Sequence, residues 1–136
     1  MDITYSERKA IAKNLLLELY TNAGWTAYTT HPEKLVMAIR NSQFVLSAWH
    51  QGKLVGLIRT IGDGSTITYI QDILVHTDFK RKKIGSTLMG KTIDRFQGVR
   101  QMVLLTDDNK ESRGFYESLG FESCDRGKLV SFVRFV

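Results

Sequence analysis

Apolar residues along this chain recur with two different periods, and the change of period divides it into elements. Residues 1–5 read as a short opening strand with Ile3 and Tyr5 on one side. From Ser6 to about Asn22, Ile11, Leu15 and Leu19 recur at helical spacing, as do Leu16 and Tyr20, and predict an amphipathic helix ended near Gly24. Thr30-His31-Pro32-Glu33 reads as a second helix start: Thr30 caps, Pro32 suits the first turn and Glu33 closes a capping box. That helix runs to about Asn41 with Leu35, Val36 and Ile39 facing inward.

The period then shortens. Phe44–Trp49 reads as a strand, Gln51-Gly52 as a tight turn and Leu54–Ile61 as an antiparallel partner. Gly62-Asp63-Gly64 is a second turn, and Ile67–Val75 a third strand of the same meander. Helical spacing returns over Ser86–Phe96, followed by a nearly all-apolar strand, Met102–Thr106, of the kind covered on both faces. Lys110–Leu119 is a short helix ended by Gly120; strands are expected from Phe121 to about Cys124 and over Leu129–Val136. The order describes a mixed α/β (α+β) domain, a mostly antiparallel twisted sheet with about four helices. No repeat or linker interrupts it, so residues 1–136 are expected to form a single domain.

Composition narrows the possibilities. Apolar residues make up 43% and charged residues 24% of 136, the balance of a folded protein rather than a disordered tail. The one cysteine, Cys124, excludes an intrachain disulfide and any cysteine-cluster metal site, and His31, His50 and His76 do not read as a metal set. No apolar run is long enough for a membrane span. The N-terminal apolar stretch is interrupted by Glu18 and reads as mature helix rather than signal peptide, so a cytoplasmic location is expected. The net charge of +5 would suit nucleic acid, anionic lipid or a phosphorylated cofactor, and charge alone chooses none of them.

Position decides more than sum. Lys80-Arg81-Lys82-Lys83 runs directly into a helix that opens with Ile84-Gly85-Ser86. First-turn amides have no partner inside a helix and the dipole favours an anion there, so a phosphate or pyrophosphate is the natural ligand. Taken alone, the basic run reads equally as a solvated loop or a nucleic-acid patch. Interleaved aromatics are missing around it, which counts against nucleic acid. The strands Ile70–Val75 and Met102–Thr106, joined by the Ser86–Phe96 helix, would be a parallel pair with both following helices starting at one sheet edge, where open α/β sheets bind ligands. Asn109–Phe121 places Ser112, Phe115, Tyr116 and Leu119 on adjacent turns of the second of those helices.

With both segments in view, the chain resembles the GCN5-related N-acetyltransferases. Val75–Met89 resembles that family's acyl-CoA pyrophosphate motif, and Asn109–Phe121 its second motif, an Asn, a small residue, Phe-Tyr and then Leu-Gly-Phe. The Arg59–Gly64 turn and the Tyr69–Asp72 strand resemble one group of small members. The resemblance implies acetyl-CoA, with CoA as product, in a V-shaped opening between a splayed central pair of parallel strands. It further implies that Ile73, Leu74 and Val75 pair with the pantetheine arm. Lys80, Arg81, Lys82, Lys83, Ile84, Gly85 and Ser86 would hold the pyrophosphate, Asn109 and Ser112 the cofactor arm, and Tyr116 would lie near the sulfur. Two positions depart from the motif: Lys80 replaces Gln or Arg, and Lys83 replaces Gly. If the backbone at Lys83 needs φ > 0, lysine costs about 1 kcal/mol there, and its ammonium could offset this on a phosphate.

Acyl transfer needs a neutral amine, a polarised thioester and a proton for the departing thiolate. Tyr116 is the candidate acid, because a phenol matches a thiolate in basicity. Asp72 shares a strand face with Ile70 and Leu74; it either faces a cavity as a base or pairs with Arg59, binding a cationic substrate. His76 is a weaker base candidate, and Cys124 lies outside both motifs. Trp25, Tyr28 and Trp49 either line an acceptor pocket, together with Arg59 and Asp72, or belong to the core. The expected activity is acetyl transfer to a primary amine of a small molecule by direct attack. The alternatives are a protein N-terminal or lysine acetyltransferase and a non-catalytic acyl-CoA-binding module. Leu129–Val136 is apolar enough to pair across a homodimer or to finish the chain's own sheet.

Overall fold

The computed structural model describes residues 2–136. Met1, part of the expected opening strand, lies outside the described residues. The chain forms two compact units, one ending at Leu105 and the other spanning Thr106–Val136.

The first unit is built on a sheet that, among the described residues, has five strands in sequence order: β1 (Thr4–Ser6), β2 (Phe44–His50), β3 (Lys53–Gly62), β4 (Ile67–Val75) and β5 (Gln101–Leu104). The first four are antiparallel neighbours, and β5 runs parallel to β4. The turn between β3 and β4 is fastened by Asp63, whose Oδ1 accepts from the amides of Ser65, Thr66 and Ile67. The Thr66 hydroxyl, donating to Oδ2 at 2.6 Å, and then these amide bonds hold its carboxyl well below the usual carboxylate range.

Helices α1 (Lys13–Asn22), α2 (Thr26–Thr29) and α3 (Pro32–Arg40) precede β2, and α4 (Ile84–Arg95) carries the crossover from β4 to β5. Leu16, Leu19 and Tyr20 of α1 and Leu35 and Ile39 of α3 form one core with Val45, Leu57 and Leu74 of the sheet. On the opposite face α4 comes down on Gly56: a Cβ there would stand 3.0 Å from Ile84 Cγ2 and 3.3 Å from Leu88 Cδ1. A side chain at that position would lift the helix that begins at the basic loop.

Several boundaries differ from expectation. The first helix starts at Lys13, not Ser6, because Ser6 is taken into β1 opposite Ser47, whose hydroxyl donates to the Ser6 carbonyl. His31, not Thr30, occupies the N-cap of α3, and the Thr30 hydroxyl instead donates back to the Thr26 carbonyl of α2. Strand β5 ends at Leu104 and is half-buried throughout, rather than fully covered.

The second unit contains α5 (Lys110–Ser118) and a 3-10 turn at Cys124–Arg126. The strands expected at 121–124 and 129–136 are not formed. Arg113 instead gathers Asp108, Ser123 and Asp125 and curls the segment after α5 into the turn. Beyond it Leu129, Val130, Phe132, Val133, Phe135 and Val136 are exposed. The parallel pair β4–β5 therefore ends the strand order instead of lying inside the sheet.

Candidate active site

Strands β4 and β5 part company early. Their pairing runs from Ile67 opposite Gln101 to Ile70 opposite Leu104, whereas β4 continues five residues further to Val75. Among the described residues, Gln71–Val75 thus has β3 on one side and no strand on the other. A free strand edge presents peptide N–H and C=O groups that seek amide partners.

That edge leads directly to the basic loop. After Val75, His76 donates its amide to the Val55 carbonyl and its ring Nδ1 caps a short 3-10 turn, Thr77–Phe79. Lys80, Arg81, Lys82 and Lys83 follow, all exposed. Arg81 and Lys83 stand in the left-handed region with φ of 64° and 61°, and Lys83 is the N-cap of α4. The Thr87 amide closes onto the Lys83 carbonyl at 3.0 Å, which leaves Ile84, Gly85 and Ser86 as first-turn donors with no partner inside the helix. Ile84 is buried and anchors the turn, while Gly85 is half-buried and Ser86 exposed.

At the other end of the free edge the β3–β4 register slips. Arg59 faces Asp72 and Thr60 faces Ile70, so Gln71 has no partner on β3 and forms a one-residue bulge. Here Asp72 turns into the protein, with its side chain 2% exposed, and Arg59 meets it at 6%. Arg59 Nε donates to Asp72 Oδ2 at 2.5 Å, and the hydroxyl of Tyr20 donates to the same oxygen at 3.0 Å. The hydroxyl of Tyr28 donates to Oδ1 at 2.8 Å and accepts from Arg59 Nη2 and Gln71 Nε2, each at 3.2 Å. Burial, then the Asp72 charge, pushes both phenols above their ordinary pKa. Burial works against the Arg59 charge, but Asp72 outweighs it and the guanidinium is held protonated.

Of the two roles expected for Asp72, the geometry displays the pairing with Arg59. The aromatic residues divide. Tyr20 meets Trp25 and Tyr28 edge-on, with ring centroids at 5.7 and 5.3 Å, and both partners are half-buried. Trp49 lies on β2 opposite Leu54 and near Thr4 of β1, its indole N–H on Ser47.

In the second unit Asn109 is the N-cap of α5, its side chain accepting from the Ser112 amide at 2.8 Å. Tyr116 is half-buried between Phe115 and Phe121, with centroids at 5.0 and 6.0 Å. Burial raises the pKa of its phenol and a hydrogen bond with the Thr106 side chain opposes the rise.

A family model described as an acetyltransferase (GNAT) domain matches residues 4–136. The chain belongs to the GNAT acetyltransferases. A GNAT-family acetyltransferase from Streptococcus pneumoniae is similar over 99% of this chain and 98% of its own, with 30% identity and a TM-score of 0.88. The PaiA N-acetyltransferase of Thermoplasma acidophilum, solved in complex with coenzyme A, shares the GNAT fold. It aligns with a TM-score of 0.71 and 22% identity over 90% of this chain and 91% of its own. Among sequences, the uncharacterised N-acetyltransferase ycf52 of Pyropia yezoensis is 26% identical over 124 residues, 88% of this chain and 70% of that protein.

For a GNAT chain, two features of this site escape sequence reasoning. Tyr20 reads as one more core position of a helical period, and nothing local signals that its hydroxyl reaches Asp72. The bulge at Gln71 has no signature either, since no glycine or proline marks it.

Proposed function

We propose that the protein is an acetyl-CoA-dependent N-acetyltransferase that acts on a primary amine of a small molecule, and that both units belong to one acetyltransferase domain. The observation that carries this reading is the free β4 edge, Gln71–Val75, followed after one 3-10 turn by four exposed cations and the first turn of a 12-residue helix. An acyl-CoA fits that donor set: its arm is a chain of amides and its pyrophosphate is an anion. When bound, acetyl-CoA supplies the acetyl thioester, and CoA leaves as product.

Ile73, Leu74 and Val75 offer backbone to the pantetheine amides. Lys80, Arg81, Lys82 and Lys83 supply positive charge, and the amides of Ile84, Gly85 and Ser86 hold phosphate oxygens. Asn109 and Ser112 are assigned to the cofactor arm. Tyr116 is protonated at neutral pH as an ordinary phenol is, burial raises its pKa further, and it is the assigned donor to the departing thiolate. Trp25 and Tyr28 form the acceptor wall, with Arg59 and Asp72 buried behind it, so that Asp72 orients the amine through Tyr28.

The exposed thiol of Cys124 suits a reducing compartment, so a cytoplasmic location belongs to the same reading. A second copy of the chain is assigned as the cover of the exposed Leu129–Val136 run, which light scattering at micromolar protein would reveal as a dimer. The activity is tested by incubating the protein with acetyl-CoA and a panel of primary amines, following free CoA and the mass of the product. Amine-dependent CoA release with an acetylated product is expected; thiol release that ignores the amine would contradict the reading.

A further inference from the structure

The Tyr28 hydroxyl has its whole bonding capacity assigned. A phenol carries one hydrogen to donate and two lone pairs to accept with. A carboxylate offers no hydrogen and a guanidinium offers only hydrogens, so the direction of two of the three bonds is forced. Tyr28 donates to Asp72 Oδ1 and accepts from Arg59 Nη2. Its remaining lone pair takes Gln71 Nε2. Releasing the phenol would leave Asp72 Oδ1 buried without a partner, since Arg59 Nε and the Tyr20 hydroxyl both bond the other oxygen.

The three partners of Tyr28 differ in access. Arg59 and Asp72 are buried, at 5% and 3% of their full exposure, while Gln71 is exposed and stands on the bulge at the start of the free β4 edge. The Gln71 amide is the partner that an incoming molecule can replace.

We propose that the Tyr28 hydroxyl oxygen is the docking point for the acceptor amine, one N–H of which takes the place of Gln71 Nε2. The proposal rests on the acetyltransferase reading and deepens it by naming the atom that orients the acceptor. With its hydrogen committed to Asp72, Tyr28 meets the ligand as a hydrogen-bond acceptor only. An amine N–H satisfies it; an ether or carbonyl oxygen does not. A neutral primary amine that donates one N–H keeps its nitrogen lone pair free for attack. The charge balance favours that neutral form, since Arg59 cancels Asp72 and its guanidinium carbon already lies 5.7 Å from the Tyr28 ring centroid. Asp72, Arg59 and Tyr20 are positioning residues that act through Tyr28.

The test compares wild type, Tyr28→Phe and Gln71→Ala with benzylamine, tyramine and spermidine as probe amines, measuring CoA release and, in parallel, acetyl-CoA binding by calorimetry. Tyr28→Phe is expected to raise the amine KM about tenfold, the loss of one hydrogen bond at an oriented site, with kcat changed far less and acetyl-CoA affinity intact. Gln71→Ala is expected to lower the amine KM, because no bonded amide has to be displaced. An unchanged amine KM in Tyr28→Phe overturns the proposal. Should that variant not fold, Gln71→Ala decides: a fall in KM supports the dock, and an unchanged or higher KM overturns it. Acetyl-CoA binding by wild type without turnover of any probe amine overturns the dock and leaves the cofactor site standing. Absence of acetyl-CoA binding overturns the underlying reading instead.

Discussion

Arg59 and Asp72 face each other across β3 and β4 at the point where the ladder slips by one residue, and both side chains are almost wholly removed from water. Desolvating two charges is costly, and the pair is tolerable because each nitrogen and oxygen of the two side chains has a partner: Tyr20, Tyr28 and Ser42 complete the hydrogen bonding. Removing one partner strands the other. Arg59→Met and Asp72→Leu are each expected to destabilise the fold by about 3–5 kcal/mol in urea unfolding. The double variant is expected to recover much of that loss. A double variant as unstable as the sum of the singles would show that the two residues do not act as a pair.

Alkaline pH is a second challenge to the fold. Tyr20, Tyr28, Tyr69 and Tyr116 all have phenols raised above their ordinary pKa, in each case chiefly by burial. Unfolded phenols ionise near pH 10, so above that the unfolded chain sheds protons that the native state keeps. The stability these groups contribute is therefore complete below about pH 10 and is lost as pH rises through the higher native values. Tyrosinate absorbance should rise together with loss of the circular dichroism signal. Ionisation of all five tyrosines near pH 10 in a fully folded protein would contradict the burial argument.

Lys83 sets stability against binding. Its φ of 61° is one that glycine adopts freely and lysine at a cost of about 1 kcal/mol. Lys83→Gly is expected to raise the urea midpoint while weakening acetyl-CoA binding about tenfold, because a phosphate loses a charge-assisted contact. A variant that gains stability and keeps its affinity would show that the lysine carries no role at the phosphates.

The Lys83 departure was legible in the residues themselves, as were the three-strand meander and the basic loop. Period and turn chemistry are local, and the turn expected at Gly62-Asp63-Gly64 forms one residue later, from Asp63, because Gly62 still pairs with Thr68. The Asp72 network was only half legible. A carboxylate on a strand face shared with Ile70 and Leu74 already needs a cation, and Arg59 on the neighbouring strand was one. The Tyr20 bond spans 52 residues and the Gln71 bulge follows from register, so neither leaves a local trace. The C-terminal segment shows the reverse failure. Leu129–Val136 has strand-forming side chains, but pairing depends on a partner edge that composition does not specify.

Tyr116 is expected to act on the chemical step alone. Tyr116→Phe keeps the ring against Phe115 and Phe121 and removes the proton, so kcat should fall about 100-fold with little change in acetyl-CoA affinity. Equal losses of affinity and kcat in steady-state and binding measurements would place the phenol in binding instead.

The central claim is that the free edge of β4 and the basic loop hold acetyl-CoA, and calorimetric titration of the purified chain tests it most directly. Saturable binding of one acetyl-CoA per chain, matched by CoA and not by NADH, is the predicted result. No heat of binding at millimolar acetyl-CoA would contradict the account.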